Sequence, residues 1–209
     1  MNFSIQPIKK LIMKKEFKVI SQIIQNNKRV LDIGCGDGTL MEYLKLNQQN
    51  DVRGLEPQKN LVQKCIAKGL SVIEGDAEKE LVQFPDKSFD YAVLSQTLQA
   101  FLFPEEVLKQ LLRIGKQTIV SIPNFGYWKV RLHLLLKGTM PLTKNLPNEW
   151  YNTPNLHMCT ILDFVNFCKE KNIKIDRSLC LTNEKISEIT NGNMFYKNIF
   201  SQLGIFLIK

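Results

Sequence analysis

The sequence predicts an α/β fold built on an open, doubly wound, mostly parallel sheet, and three observations carry that prediction. Strand-like and helix-like patterns trade places from residue 14 to about residue 122. A glycine cluster, Gly34-Cys35-Gly36-Asp37-Gly38, stands between the first strand pattern and the helix after it. The chain has 209 residues, enough for one domain with a substantial appendage but not for two large domains. A parallel strand pair cannot be closed by a tight turn, so such alternation implies crossover helices that cover both faces of the sheet.

Each element has its own signal. Residues 14–26 place Phe17, Ile20, Ile23 and Ile24 at helical spacing, and the β-branched run Arg29-Val30-Leu31-Asp32-Ile33 reads as a buried strand. A helix at about 39–47, a strand at 51–55, a helix at 59–68 stopped by Gly69 and a strand at 70–74 follow. Phe89–Leu94 is the next strand. A helix at 104–114 opens on Pro104 with Glu105 and Glu106 in its first turn, and Lys116–Ile122 is a strand again. After Pro123 the rhythm breaks: Tyr127–Leu136 reads as a helix, and the Pro- and Asn-rich stretch 138–158 with Trp150 and Tyr151 reads as an inserted loop or lid. A helix at 160–171 and two strand-like runs, Ile173–Leu181 and Gln202–Ile208, finish the sheet. Only irregular sequence is read between those last two runs, which points to an antiparallel pair.

Composition narrows the function classes. Hydrophobic residues make up 44% and charged residues 23%, the proportions of a globular protein rather than a disordered chain. No stretch approaches the ~18 consecutive apolar residues that a membrane-spanning helix needs, and lysines stand where a signal peptide would place its apolar core, so a cytoplasmic protein is expected. The five cysteines show neither paired CxxC spacing nor flanking histidines, so neither a disulfide framework nor a metal site is indicated. Basic residues number 28 against 20 acidic ones, and residues 1–30 hold seven of them (Lys9, Lys10, Lys14, Lys15, Lys18, Lys28, Arg29) against the single acid Glu16. This basic opening helix reads as a solvated face; no nucleic-acid-binding motif accompanies it.

The chemistry concentrates in Asp32-Ile33-Gly34-Cys35-Gly36-Asp37-Gly38. Glycines let such a turn take positive φ and let a ligand lie on bare backbone, while the helix N-terminus behind it offers unpaired N–H groups to an anion. Asp32 precedes the first glycine by two residues and the spacing is GxGxG, with Thr39 where a dinucleotide fingerprint has its third glycine. Glu56, 22 residues after Gly34, ends the second strand, where a carboxylate can accept from both hydroxyls of a ribose. Asp76-Ala77, past the third strand, offers a carboxylate for an exocyclic amine and a small residue whose N–H can approach a ring nitrogen. The ends of three successive strands open onto one crevice in this architecture, which suits an adenosine with an amino-acid tail.

This order resembles class I S-adenosylmethionine-dependent methyltransferases. Leu94-Ser95-Gln96-Thr97-Leu98-Gln99-Ala100, Pro123-Asn124-Phe125-Gly126-Tyr127-Trp128 and Glu149 to Thr160 (EWYNTPNLHMCT) narrow the resemblance to the methionine biosynthesis protein MetW family, over roughly residues 29–181. The resemblance implies a Rossmann-like, seven-stranded, mostly parallel sheet with an inserted helix and loop lid. It implies a single domain over 1–209, with a basic N-terminal helix in 1–28 and a lid, acceptor or partner region at 124–159. Asp32, Gly34, Gly36 and Gly38 are implied around the methionine moiety of S-adenosylmethionine or its product S-adenosylhomocysteine, Glu56 at the ribose, Asp76 and Ala77 at the adenine, and Ser95 and Gln96 beside the methyl group. Relatives often continue Glu-Ile-Asp after the second strand, whereas this chain has Glu56-Pro57-Gln58 and lacks the second carboxylate.

The resemblance also implies a place in methionine biosynthesis, alongside homoserine O-acyltransferase. Methyl transfer asks mainly for alignment of a nucleophile with the S–CH₃ bond, so a base is optional. Asn124 and His157 are the polar candidates on the acceptor side, with Tyr127, Trp128, Trp150 and Tyr151 as walls or as a docking surface. Two functions follow: a methyltransferase acting on a small acceptor, or a regulatory partner of homoserine O-acyltransferase whose cofactor pocket is a sensor.

Overall fold

The computed structural model describes residues 13–143, 146–183 and 185–209. Of the N-terminal basic helix expected in 1–28, residues 1–12 with Lys9 and Lys10 lie outside them, and Lys14, Lys15, Lys18 and Lys28 lie within. Helices α1 (Lys15–Ile23), α2 (Thr39–Gln48) and α3 (Lys59–Ala67) alternate with strands β1 (Arg29–Ile33), β2 (Asp51–Glu56) and β3 (Ser71–Glu74). Short α4 (Ala77–Glu80), β4 (Phe89–Ser95), α5 (Pro104–Ile114), β5 (Gly115–Pro123) and α6 (Trp128–Lys137) follow. The chain ends with α7 (Ile161–Glu170), β6 (Ile175–Thr182), β7 (Lys185–Glu188), α8 (Met194–Phe200) and β8 (Leu203–Ile208).

The strands form one sheet in the order β3-β2-β1-β4-β5-β8-β6-β7. Neighbouring strands from β3 through β5 pair in parallel, and β8 lies antiparallel between β5 and β6. All seven expected strands are present, and β7 adds an eighth. It turns back from β6 as a four-residue antiparallel edge, too short and too charged (Lys-Ile-Ser-Glu) to show a strand pattern. The interval read as irregular also holds α8, whose Tyr196 and Phe200 rings stack at 4.5 Å on one helical face.

Both faces are covered. On one, α1, α2 and α3 bury Val19, Ile20, Leu40, Met41, Leu44 and Cys65 against the sheet; on the other, α5 and α7 bury Leu108, Leu111, Ile114, Phe164 and Cys168. The helix faces follow from spacing, as in α5, where Val107, Leu108, Leu111 and Ile114 share one stripe. α7 opens with a reciprocal capping box between Thr160 and Asp163.

Strand order reverses between β1 and β4, so the connections leaving their carboxyl ends turn to opposite faces of the sheet, the place where this architecture opens a crevice. The terminus of β5 is fixed by Asn124. Its side-chain N–H groups donate to the carbonyls of Asn198 and Ser201, and its oxygen accepts from the N–H groups of Gly126 and Ile161. All four hydrogen-bonding positions of this amide are therefore taken up in joining β5 to α7 and α8.

Phe206 of β8 is fully buried and packs on Phe164 of α7 at 4.6 Å between ring centroids, joining the antiparallel half of the sheet to its helical layer. Phe206→Ala is expected to destabilise the fold by about 3–5 kcal/mol in urea titrations, against less than ~1 kcal/mol for the same truncation at exposed Phe195.

Candidate functional site

The site grows from the end of β1. Strand alternation and the two covered faces leave Asp32 inside the sheet, 2% exposed. The chain then leaves the sheet through Gly34, Gly36 and Gly38, all at positive φ. A side chain at Gly34 would run into Thr97, and one at Gly38 into Leu70 and Cys65. At Gly36 nothing lies within 4 Å of where a Cβ would stand, so the middle of the turn presents bare backbone to open space.

Glu56 ends β2 and is 4% exposed. One carboxylate oxygen accepts from the Gly36 N–H at 2.9 Å and the other from the Gln58 N–H at 3.0 Å. The glycine loop and the second strand end are thus tied together by the side chain read as a ribose ligand. Each oxygen keeps a further lone-pair direction.

Beyond β4, the Ser95 hydroxyl donates to a Glu16 carboxylate oxygen at 2.7 Å, and the Gln96 side-chain amide and the Ser121 hydroxyl donate to the same carboxylate. Gln96 itself sits at positive φ, with its N–H bonded to the Ser121 carbonyl and hydroxyl. Glu16 comes from α1 and is 4% exposed. Sequence reasoning did not single it out, although a signal exists: it is the lone acid among the first 30 residues and shares a helical face with Val19 and Ile20.

Asp32 therefore lies in a field of like charge. Burial, then the Glu56 charge, then the Glu16 charge push its carboxyl up to about 7. Among the described residues neither a hydrogen-bond donor nor a cation stands against it. A cluster of buried carboxyls of this kind complements a positive charge. Cys35 within the loop is buried, and burial followed by the neighbouring Asp32 charge drives its thiol far up, which keeps it a small inert residue.

The other candidates lie farther out. Asp76 caps α4 by accepting from the Glu78 N–H at 3.1 Å, is partly exposed, and faces Lys79 at 3.8 Å; Ala77 beside it is buried. Tyr127 is buried with Val130 and Leu146 in a small cluster below α6, whereas Trp128 is half-exposed. Trp150 and Tyr151 meet edge to face at 5.7 Å and are 70% and 72% exposed. The Gln99 carbonyl accepts from the Leu156 and His157 N–H groups at 2.7 and 3.1 Å, which anchors the end of the 138–158 stretch on the turn after β4. His157, with Leu98, Leu102, Phe103, Phe164 and Phe167, lines a cavity of about 550 Å³. That cavity begins one residue beyond Thr97, the side chain that packs on Gly34. No cluster of three or more His, Cys, Asp or Glu suited to a metal occurs among the described residues, and no helix among them is long and apolar enough to cross a membrane.

The family model described as methionine biosynthesis protein MetW matches residues 14–208. The bifunctional methionine biosynthesis protein MetXA/MetW of Rhodopirellula baltica is 34% identical over 170 residues, which are 77% of this chain and 27% of that protein. The demethylmenaquinone methyltransferase of Geobacillus stearothermophilus is 32% identical over 143 residues, 61% of this chain and 60% of that one. The chain thus spans about a quarter of the first relative and under two thirds of the second. Among solved structures, S-adenosylmethionine-dependent methyltransferases of Thermotoga maritima and Mesorhizobium loti both superpose with a TM-score of 0.67, at 17% and 14% identity. The alignments cover 93% of this chain in both cases and 87% and 97% of those chains, so they show the shared fold.

The Asp32 carboxyl gives a stability test. The folded protein keeps this proton up to about pH 7, while the unfolded chain releases it near 3.8, so this group costs stability as pH rises through that window. Asp32→Asn is expected to be no more stable than the parent near pH 4 and more stable by up to ~4 kcal/mol near pH 8, read from paired urea titrations. A difference that does not grow with pH contradicts the charge crowding.

Proposed function

The chain belongs to the methionine biosynthesis protein MetW family, and on that premise we propose that it binds S-adenosylmethionine at the glycine loop and transfers the methyl group to a small acceptor. The observation that carries this reading is Gly36: its Cβ position opens into empty space while its N–H is held by the Glu56 carboxylate. That open space lies between two tightly packed glycines, Gly34 and Gly38. The orphaned carboxylate of Asp32 supports a cationic ligand in the same crevice.

These residues fit the cofactor. Glu56 has lone pairs left for the ribose hydroxyls, Asp32 opposes positive charge, and Asp76 with Ala77 takes the adenine end. Ser95 and Gln96 border the reacting side. When bound, S-adenosylmethionine supplies a methyl group on a sulfonium, already a reactive electrophile, so the protein's task is to exclude water and to orient an acceptor. His157 and the apolar cavity beside the Thr97–Leu98 turn form the acceptor side. Asn124, read as a second polar candidate, serves by holding the end of β5, since its amide is saturated by backbone groups.

Calorimetry should show S-adenosylmethionine or S-adenosylhomocysteine binding to the parent. Gly36→Arg should abolish it by filling the open space. Glu56→Ala should weaken it by at least ~10-fold, the worth of a charge-assisted hydrogen bond. Unchanged binding in both variants removes the assigned pocket. Labelled cofactor incubated with a metabolite extract should label a small acceptor; no transfer at saturating cofactor contradicts the enzyme reading.

The second reading, a regulatory partner of homoserine O-acyltransferase with the pocket as sensor, is favoured by the fused MetXA/MetW relative and by the apolar surface of α6 and the lid, where Leu135, Leu136, Trp150 and Tyr151 are all exposed. Under it, the two proteins co-purify and acylation changes on mixing, and a Trp150→Ala/Tyr151→Ala double variant loses both effects. Neither complex nor altered acylation contradicts it.

A further inference from the structure

α1 packs Val19 and Ile20 on the sheet, yet it also carries a carboxylate to the carboxyl ends of β4 and β5. Glu16 is buried, and its donors are the hydroxyls of Ser95 and Ser121 and the amide of Gln96. All three are neutral, so they orient the charge without cancelling it. Ser95 and Ser121 are register partners on adjacent parallel strands, so two hydroxyls converge on one carboxylate oxygen at the strand ends. Among the described residues no lysine or arginine pairs with Glu16, although Lys14, Lys15 and Lys18 surround it in sequence.

A helix needs no such carboxylate to stay docked. Burying an ion against neutral donors costs free energy that an apolar side chain at the same place would not. Two buried carboxylates from separate elements, Glu16 and Asp32, lie close enough for the charge of one to act on the other, and with no cation beside them among the described residues a positively charged ligand would relieve both.

We propose that Glu16 is a ligand-discriminating residue: held by Ser95, Gln96 and Ser121, its carboxylate favours a sulfonium-bearing nucleoside over the neutral thioether left after its methyl group has gone. This rests on the cofactor reading above, which places Ser95 and Gln96 beside the methyl-bearing sulfur, and it adds α1 to the site. A carboxylate fixed there attracts the sulfonium and has no such attraction for the thioether, so it promotes exchange of spent for fresh cofactor.

The test is the ratio of affinities for S-adenosylmethionine and S-adenosylhomocysteine, measured by calorimetry on the parent, Glu16→Gln and Glu16→Asp. Glu16→Gln keeps the size of the side chain and removes the charge. It should weaken S-adenosylmethionine by at least ~10-fold and leave S-adenosylhomocysteine within about twofold. Glu16→Asp keeps the charge one methylene farther away and should shift the ratio in the same direction by less. It also carries the test should the glutamine variant fail to fold. Binding of 5′-methylthioadenosine, which is uncharged at sulfur and lacks the amino-acid tail, should be the same in all three proteins. Equal loss of both larger ligands, or an unchanged ratio in the folded variants, overturns the role of Glu16 while leaving the pocket intact. A parent that binds none of the three compounds overturns the cofactor reading and this inference together.

Discussion

Asp32 sits inside the sheet between Gly54 and Val93, and two further buried carboxylates, Glu56 and Glu16, approach it from β2 and α1. Like charges in a low-dielectric interior repel strongly, and nothing positive among the described residues answers them. Asp32 responds by holding its proton up to about pH 7. Such a cluster is a cost to folding, and proteins tolerate local costs of this kind where a ligand repays them.

The rest of the fold makes that cost bearable. Parallel strands β1, β4 and β5, mostly buried between the helix layers, supply the rigid centre of a sheet whose order reverses between β1 and β4. The reversal opens a crevice at a fixed place, and three side chains from different elements reach it only because strand and helix termini are pinned. Glu56 is pinned by two backbone N–H groups, Glu16 by three neutral donors, and the end of β5 by the saturated amide of Asn124. Outside this frame, α6 and the 138–158 stretch expose leucines and aromatics that the core does not use, while Val130 and Leu146 pack on Tyr127 and the far end is fastened at Gln99.

Much of this was legible in the sequence. The alternation of periods two and 3.6 located all seven main strands and the long helices, because each carries its own apolar pattern. Glycines with an acidic residue before them and another at the next strand end located the loop, because a turn at positive φ leaves a compositional trace. β7 and α8 escaped: β7 is as short as β3 but has one apolar residue, Ile186, and the place of both elements depends on tertiary pairing that no local period records. Glu16 escaped for a different reason: a lone acid in a basic helix looks like a solvated charge until the partners it meets, 79 and 105 residues away in sequence, are brought to it by the fold. Asn124 was visible as a polar residue past a strand, but only three-dimensional contacts show that its amide is already spent.

The electrostatic account makes one demand that no neutral pocket shares. If a cation enters beside Asp32, the ionised carboxylate is favoured and the proton must leave. Calorimetric titration of S-adenosylmethionine near pH 6, repeated in buffers of different ionisation enthalpy, counts that proton directly. The account predicts binding accompanied by release of a substantial fraction of one proton, with the release lost when Asp32 is replaced by Asn; binding with no proton released, or release that persists without Asp32, would contradict it.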